Sequence, residues 1–98
     1  MIDSLIIIPT YNESENVSLI IERIFSLYSH FHILIVDDSS PDGTSFCVKE
    51  LQKKYNSNLF LLEREKKIGL GAAYIDGFNW GLEKEYNFFF SNGLRFFS

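Results

Sequence analysis

Apolar residues in this chain come in four short, unbroken runs: Leu5 to Ile8, Ile33 to Val36, Leu59 to Leu62, and Phe88 to Phe90. A strand wet on one face alternates apolar with polar residues, whereas a continuous run suits a strand covered on both faces of a parallel sheet. Between the runs the spacing becomes helical. Val17, Ile20, Ile21, Ile24 and Tyr28 mark one apolar face, and Cys47, Val48, Leu51 and Tyr55 mark a second. Leu70, Tyr74, Phe78, Gly81 and Leu82 mark a third. Strands alternating with helices of this length predict an α/β fold built of βαβ units with right-handed crossovers. Asn12 or Ser14 is the expected cap of the first helix, and Asp42 or Thr44 that of the second. Pro41-Asp42-Gly43 is a turn signal, since Pro presets one φ and Gly permits a positive one.

The 98 residues leave room for one domain, and ten Phe with five Tyr supply material for a packed core. A formal charge of -4 argues against a nucleic-acid partner, because phosphate backbones recruit clustered Lys and Arg. The basic cluster Arg64, Lys66 and Lys67 is interrupted by Glu65 and serves a local anion contact at most. The lone Cys47 precludes an internal disulfide and reads as a small apolar helix residue. His30 and His32 read as loop and strand-entry positions with no metal-ligand spacing. The first apolar run is cut short by Pro9, so neither an export signal nor a membrane span is expected there.

Ligands of open parallel sheets bind beyond the carboxyl ends of the strands. The unusual residues of this chain fall at three such points. Pro9-Thr10-Tyr11-Asn12-Glu13 follows the first run, Asp37-Asp38-Ser39-Ser40-Pro41-Asp42-Gly43-Thr44 the second, and Arg64 to Gly71 the third. Each piece reads in two ways. Asp37 and Asp38 suit either an exposed capping turn or acceptors for ribose hydroxyls and a base N–H. Pro9 and Tyr11 suit packing or the wall of a base site. Glu13 suits a helix-dipole position or a ribose contact. Lys66 and Lys67 suit solvent or a diphosphate. The glycines at 69 and 71 do not form a dinucleotide fingerprint, which belongs after the first strand and precedes its acidic residue.

The three segments, in order, resemble the family 2 glycosyltransferases of the GT-A fold. Lys66-Lys67-Ile68-Gly69-Leu70-Gly71-Ala72-Ala73-Tyr74 with Gly77 is most similar to the branch of dolichol-phosphate or polyprenol-phosphate mannose synthases. The resemblance implies a three-layer sandwich with parallel strands in the order 3-2-1-4, the nucleotide-binding half of such a domain. It implies transfer of mannose from GDP-mannose to a polyprenol phosphate, with the nucleotide cradled by Pro9, Tyr11, Glu13, Val36 and Asp38. Lys66 and Lys67 would face the diphosphate. Another family 2 enzyme using a UDP-sugar, or a non-catalytic nucleotide-binding remnant, are the alternatives. A cytoplasmic protein, peripheral at a membrane through its lipid acceptor, is expected.

Such enzymes use a divalent cation, Mg or Mn, to neutralise the leaving diphosphate. The family carries an Asp-x-Asp metal motif after the fourth strand, and here Ser91 to Ser98 stands in its place without either carboxylate. One permitted coding of this tail, read one base later, gives Gln-Met-Asp-Cys-Asp-Phe-Ser, close to the missing segment. The expectation is a nucleotide-sugar half over 1–90, an aberrant or frameshifted tail over 91–98, and a truncated chain without activity of its own.

Overall fold

The structure, a computed structural model, describes residues 3–65 and 69–91. Seven elements alternate along the chain: β1 Ser4–Thr10, α1 Val17–Leu27, β2 His32–Asp37, α2 Thr44–Gln52, β3 Leu59–Glu63, α3 Leu70–Glu83 and β4 Phe88–Phe90. The four strands form one sheet in the order β3-β2-β1-β4, and every pairing is parallel. This is the α/β three-layer architecture expected.

Side chains of a strand point alternately to its two faces, so each Ile-rich run serves both layers at once. Ile6 and Ile8 of β1 and Ile33 and Ile35 of β2 join Val17, Ile21, Ile24 and Phe25 of α1 and Val48 of α2 in one core. Leu5, Ile7, Leu34 and Val36 point the other way and meet Ala73 of α3 in a second core. The continuous runs of β1 and β2 are thus buried nearly throughout. The flanking strands are covered less well, β3 being half-buried and β4 exposing Phe88 and Phe90.

The third helix keeps only part of the expected face: Gly81 is buried and Tyr74 packs against the core. Leu70, Phe78 and Leu82 are exposed, whereas Ala73, Gly77 and Gly81, spaced four apart, meet the sheet. A Cβ on Gly77 would stand 2.7 Å from Ile7 Cγ2, and one on Gly81 2.9 Å from Leu5 Cδ2 and closer still to the Phe89 ring. The helix backbone lies so near the strands that only small residues fit beneath it. Large residues splay to its flanks, with Phe78 against Phe89 and Trp80 against Phe60.

The first helix begins later than its capping signals suggest. Asn12 adopts a left-handed conformation at φ 56, and helical residues start at Val17 after an Asn16 that makes no side-chain cap. The backbone N–H groups of residues 12–14 are drawn instead to the second loop. The left-handed Gly43 precedes α2, and Asp42, one residue earlier, accepts the Thr44 N–H at 3.1 Å. Asp42 therefore serves the second helix as expected, although from outside the formal cap position.

Candidate functional site

The register of the sheet brings the three polar loops to one edge. Thr10 of β1 lies beside Asp37 of β2, and Asp37 beside Glu63 of β3, so all three strands end at one level. The first loop is then laced to the second. Asn12 N donates to Ser40 Oγ (2.8 Å), Glu13 N to Thr44 Oγ1 (3.0 Å) and Ser14 N to Asp42 Oδ2 (3.0 Å). These bonds consume backbone donors that a helix start would otherwise leave open. The Thr44 hydroxyl, with donors at Ser14 and the Thr44 backbone, pulls the Asp42 carboxyl down to about 2 from an ordinary 3.8.

The adjacent Asp37 and Asp38 are both buried, at 1% and 6% exposure, so neither belongs to an exposed turn. They do different work. Asp37 is saturated by its own chain: Oδ1 accepts from Thr10 Oγ1 (2.7 Å) and Ser40 Oγ (2.7 Å). Its Oδ2 accepts from Ser40 N (2.9 Å) and Ser45 Oγ (3.2 Å). Such a carboxylate is a peg that shapes the second loop, with little acceptor capacity left for a ligand. Asp38 faces a cation instead. Arg64 Nε stands 2.9 Å from Asp38 Oδ1, an ion-pair contact whose angle departs from that of a hydrogen bond. The guanidinium reaches a second carboxylate with Nη1, 3.2 Å from Asp76 Oδ2 on α3.

Arg64 also holds the loops by its backbone. Its N–H donates to Asp37 O at 2.8 Å, and its carbonyl accepts from the Ser39 hydroxyl. The basic cluster read from the sequence is thereby corrected at its first member. Arg64 is 7% exposed and its anionic partners belong to this chain, so it is an internal strut and not a surface contact. The sequence pattern does not separate Asp37 from Asp38 and gives no sign of Asp76. The one available signal was the cost of two adjacent carboxylates after a buried strand, which demands donors but does not say which residue receives them.

The other expected site residues are placed as follows. Pro9 is the penultimate residue of β1, beside Val36; Tyr11 is exposed just beyond the strand, and Glu13 is half-buried in the first loop. Val36 is fully buried, its Cγ2 packed beneath Gly77, so its side chain belongs to the core and does not line the edge. Lys66 and Lys67 lie outside the described residues, as do residues 92–98 of the tail. Two open grooves flank α3. One of about 510 Å³ runs along β3 past Arg64 and Asp76, and one of about 350 Å³ lies over Ile7 and Phe89. Neither is lined by Pro9, Tyr11, Glu13 or Asp38. Among the described residues no group of three or more His, Cys, Asp and Glu converges as a metal site. Nor is any helix among them long and apolar enough to cross a membrane.

A parallel sheet that gathers three interlocked polar loops at the carboxyl ends of its strands defines an α/β domain of the class that takes ligands at that edge. The chain belongs to glycosyl transferase family 2, whose model matches residues 5–90. It is 48% identical over 84 residues to the polyprenol monophosphomannose synthase of Mycolicibacterium smegmatis, covering 86% of this chain and 32% of that protein. It is 43% identical over 83 residues to the undecaprenyl-phosphate mannosyltransferase of Micrococcus luteus, covering 85% of this chain and 34% of that one. The chain thus spans about a third of the length of these relatives. In structure it is similar to a mannosyltransferase from Pyrobaculum calidifontis solved with GDP-Man and Mn2+, with a TM-score of 0.73 and 23% identity. That match covers 80% of this chain and 24% of the other, and it supports the fold.

Proposed function

We propose that this chain is the nucleotide-binding part of a polyprenol-phosphate mannosyltransferase, an enzyme that moves mannose from GDP-mannose to the phosphate of a lipid acceptor. The observation that carries this reading is the interlocked edge itself, where Asp38 is buried, ion-paired to Arg64, and donates its N–H to Thr10 O at the end of β1, next to the loop that carries Tyr11 and Glu13. The two relatives named for polyprenol and undecaprenyl phosphate supply the acceptor class. Tyr11 and Pro9 offer an apolar wall to a base, and Asp38 and Glu13 offer acceptors to ribose hydroxyls or a base N–H. Val36 contributes by holding the strand that positions Asp38. Lys66 and Lys67 would meet the diphosphate.

Because the acceptor phosphate is already ionised, the transfer needs no general base, and the barrier is lowered by neutralising the departing diphosphate. A divalent cation, Mg or Mn, would supply that charge. The part of the described residues in this reading is to bind and orient the nucleotide. Residues 1–90 form that half-domain, and 91–98 is a frameshifted reading of the metal segment, which the gene sequence across codon 91 tests directly. Attachment to the membrane is peripheral, at the cytoplasmic face, through the lipid acceptor.

Titration of the chain with GDP and with UDP tests the nucleotide reading. GDP should bind more tightly than UDP, and Asp38→Asn should weaken it by about 1.5–3 kcal/mol, the worth of a hydrogen bond to a charged group. Asp3→Asn, at the opposite end of the sheet, should leave binding unchanged. Tighter binding of UDP would favour a UDP-sugar enzyme, equal affinity would refute the preference for guanine, and equal effects of the two substitutions would refute the site.

A further inference from the structure

A buried ion pair is a poor device for stability. Withdrawing both charges from water costs several kcal/mol, and a well-packed apolar pair is often as stable or more so. The Arg64 strut is costly in this sense. Its side chain and that of Asp38 are 5% and 8% exposed, and its Nη2 is buried with no hydrogen-bond partner among the described residues. Such an arrangement makes physical sense where a carboxylate must be kept in one orientation. The planar guanidinium grips from two sides, with Nε toward Asp38 on the second loop and Nη1 toward Asp76 on the first half of α3. Its backbone is clamped to Asp37 O and Ser39 Oγ, so the only freedom left to the group is the swing of its side chain. Asp76 limits that swing.

Given the nucleotide contact proposed for Asp38, we infer that Arg64 and Asp76 are positioning residues for nucleotide affinity, Asp76 acting at a distance through the Arg64 guanidinium. Asp76 is the informative member because its side chain is 52% exposed. An exposed arm contributes little to folding, so removing its charge leaves the fold intact while freeing Arg64 to turn away from Asp38. The relay also ties the third sequence segment to the second. The helix that carries Asp76 is set against the sheet by Gly77, the next residue, so the carboxylate is delivered from a rigid position.

The test uses the 98-residue chain and GDP as the probe. Asp76→Asn should weaken GDP binding roughly three- to tenfold, within the range found for residues that touch no ligand, with the melting temperature unchanged. Asp76→Glu, which keeps the charge, should restore most of the affinity. Glu50→Gln, which removes a carboxylate of similar exposure from its ion pair with the exposed Lys53, should change neither. Arg64→Met should lose as much affinity as Asp38→Asn, and the double variant no more than either alone; should Arg64→Met fail to fold, the Asp76 variants decide by themselves. If Asp38→Asn weakens GDP and Asp76→Asn does not, the relay is refuted and the nucleotide site stands. If neither weakens it, both are refuted.

Discussion

A carboxylate at the end of a buried strand persists only with donors around it, and Asp37 and Asp38 meet that demand in different ways. Asp37 takes hydroxyl and amide donors from Thr10, Ser40 and Ser45, while Asp38 takes a guanidinium. Nothing in two consecutive identical letters separates these roles. The alternation of a strand does, because it turns one carboxylate toward the first loop and the other toward the third. Asp42 carries a further consequence at this scale. Its folded carboxyl, at about 2, titrates below the unfolded value of 3.8. A depressed carboxyl contributes stability that is present above the unfolded pKa and lost as pH falls through the folded one. The chain should therefore lose stability between pH 3.8 and about 2, and Asp42→Asn should lose less over the same window. Thermal melts at the two ends of the window check this, and parallel losses in both proteins would refute it.

Among the elements, α3 shows how packing overrides a pattern of large apolar residues. Helical periodicity marks Leu70, Tyr74, Phe78, Gly81 and Leu82 as its inner face; Gly81 is buried and Tyr74 packs against the core, but Leu70, Phe78 and Leu82 are exposed, and Ala73 and Gly77 complete the face instead. The small-residue spacing was present in the sequence and is the better signal wherever a helix lies close on a sheet. Replacing Gly by Ala in a helix gains about 1 kcal/mol of propensity, whereas forcing a methyl into a filled core costs about 1–3 kcal/mol. For Gly77→Ala the obstacles are Ile7 and Val36, both fully packed, so the cost prevails and the chain should be destabilised by about 1–2 kcal/mol. Gly71, in the same helix, has nothing within 4 Å of an added Cβ. Gly71→Ala should accordingly stabilise by up to about 1 kcal/mol. Chemical denaturation of the two variants checks the pair, and the same sign for both would overturn the argument.

Across the whole molecule, the two faces of the sheet are unequal in cover. Among the described residues, the α1 and α2 side encloses a core of ten buried residues, whereas the α3 side encloses five and leaves Phe78 and Leu82 in contact with water; Phe88 and Phe90 of β4, on the same face as Ile6, are exposed at the rim of the first side. Each large apolar side chain left partly exposed forgoes part of the roughly 1.5–3 kcal/mol that full burial contributes, and among the described residues β4 is an edge strand of the sheet. The isolated chain should self-associate as its concentration rises, and Phe88→Lys should reduce this by placing a charge on that edge. Sedimentation velocity over a concentration series checks the expectation; a monodisperse monomer throughout would refute it.

The alternation of strands and helices, the parallel sheet and the three loops at its edge were legible in the sequence. They rest on local properties: the period of apolar residues, turn chemistry, and the order of short segments along the chain. Membership of the family was legible for the same reason, since its segments are contiguous strings. What the tertiary structure decided were matters of pairing between distant residues. Asp37 meets Thr10 across 27 positions, and Arg64 meets Asp38 only because β2 and β3 lie in a particular register. The late start of α1 has the same origin, since acceptors on the second loop claim the backbone of residues 12–14. Local sequence sets what each segment prefers to be, but hydrogen bonds and ion pairs across the sheet are set by crossovers and register. Those arise only when the chain closes on itself.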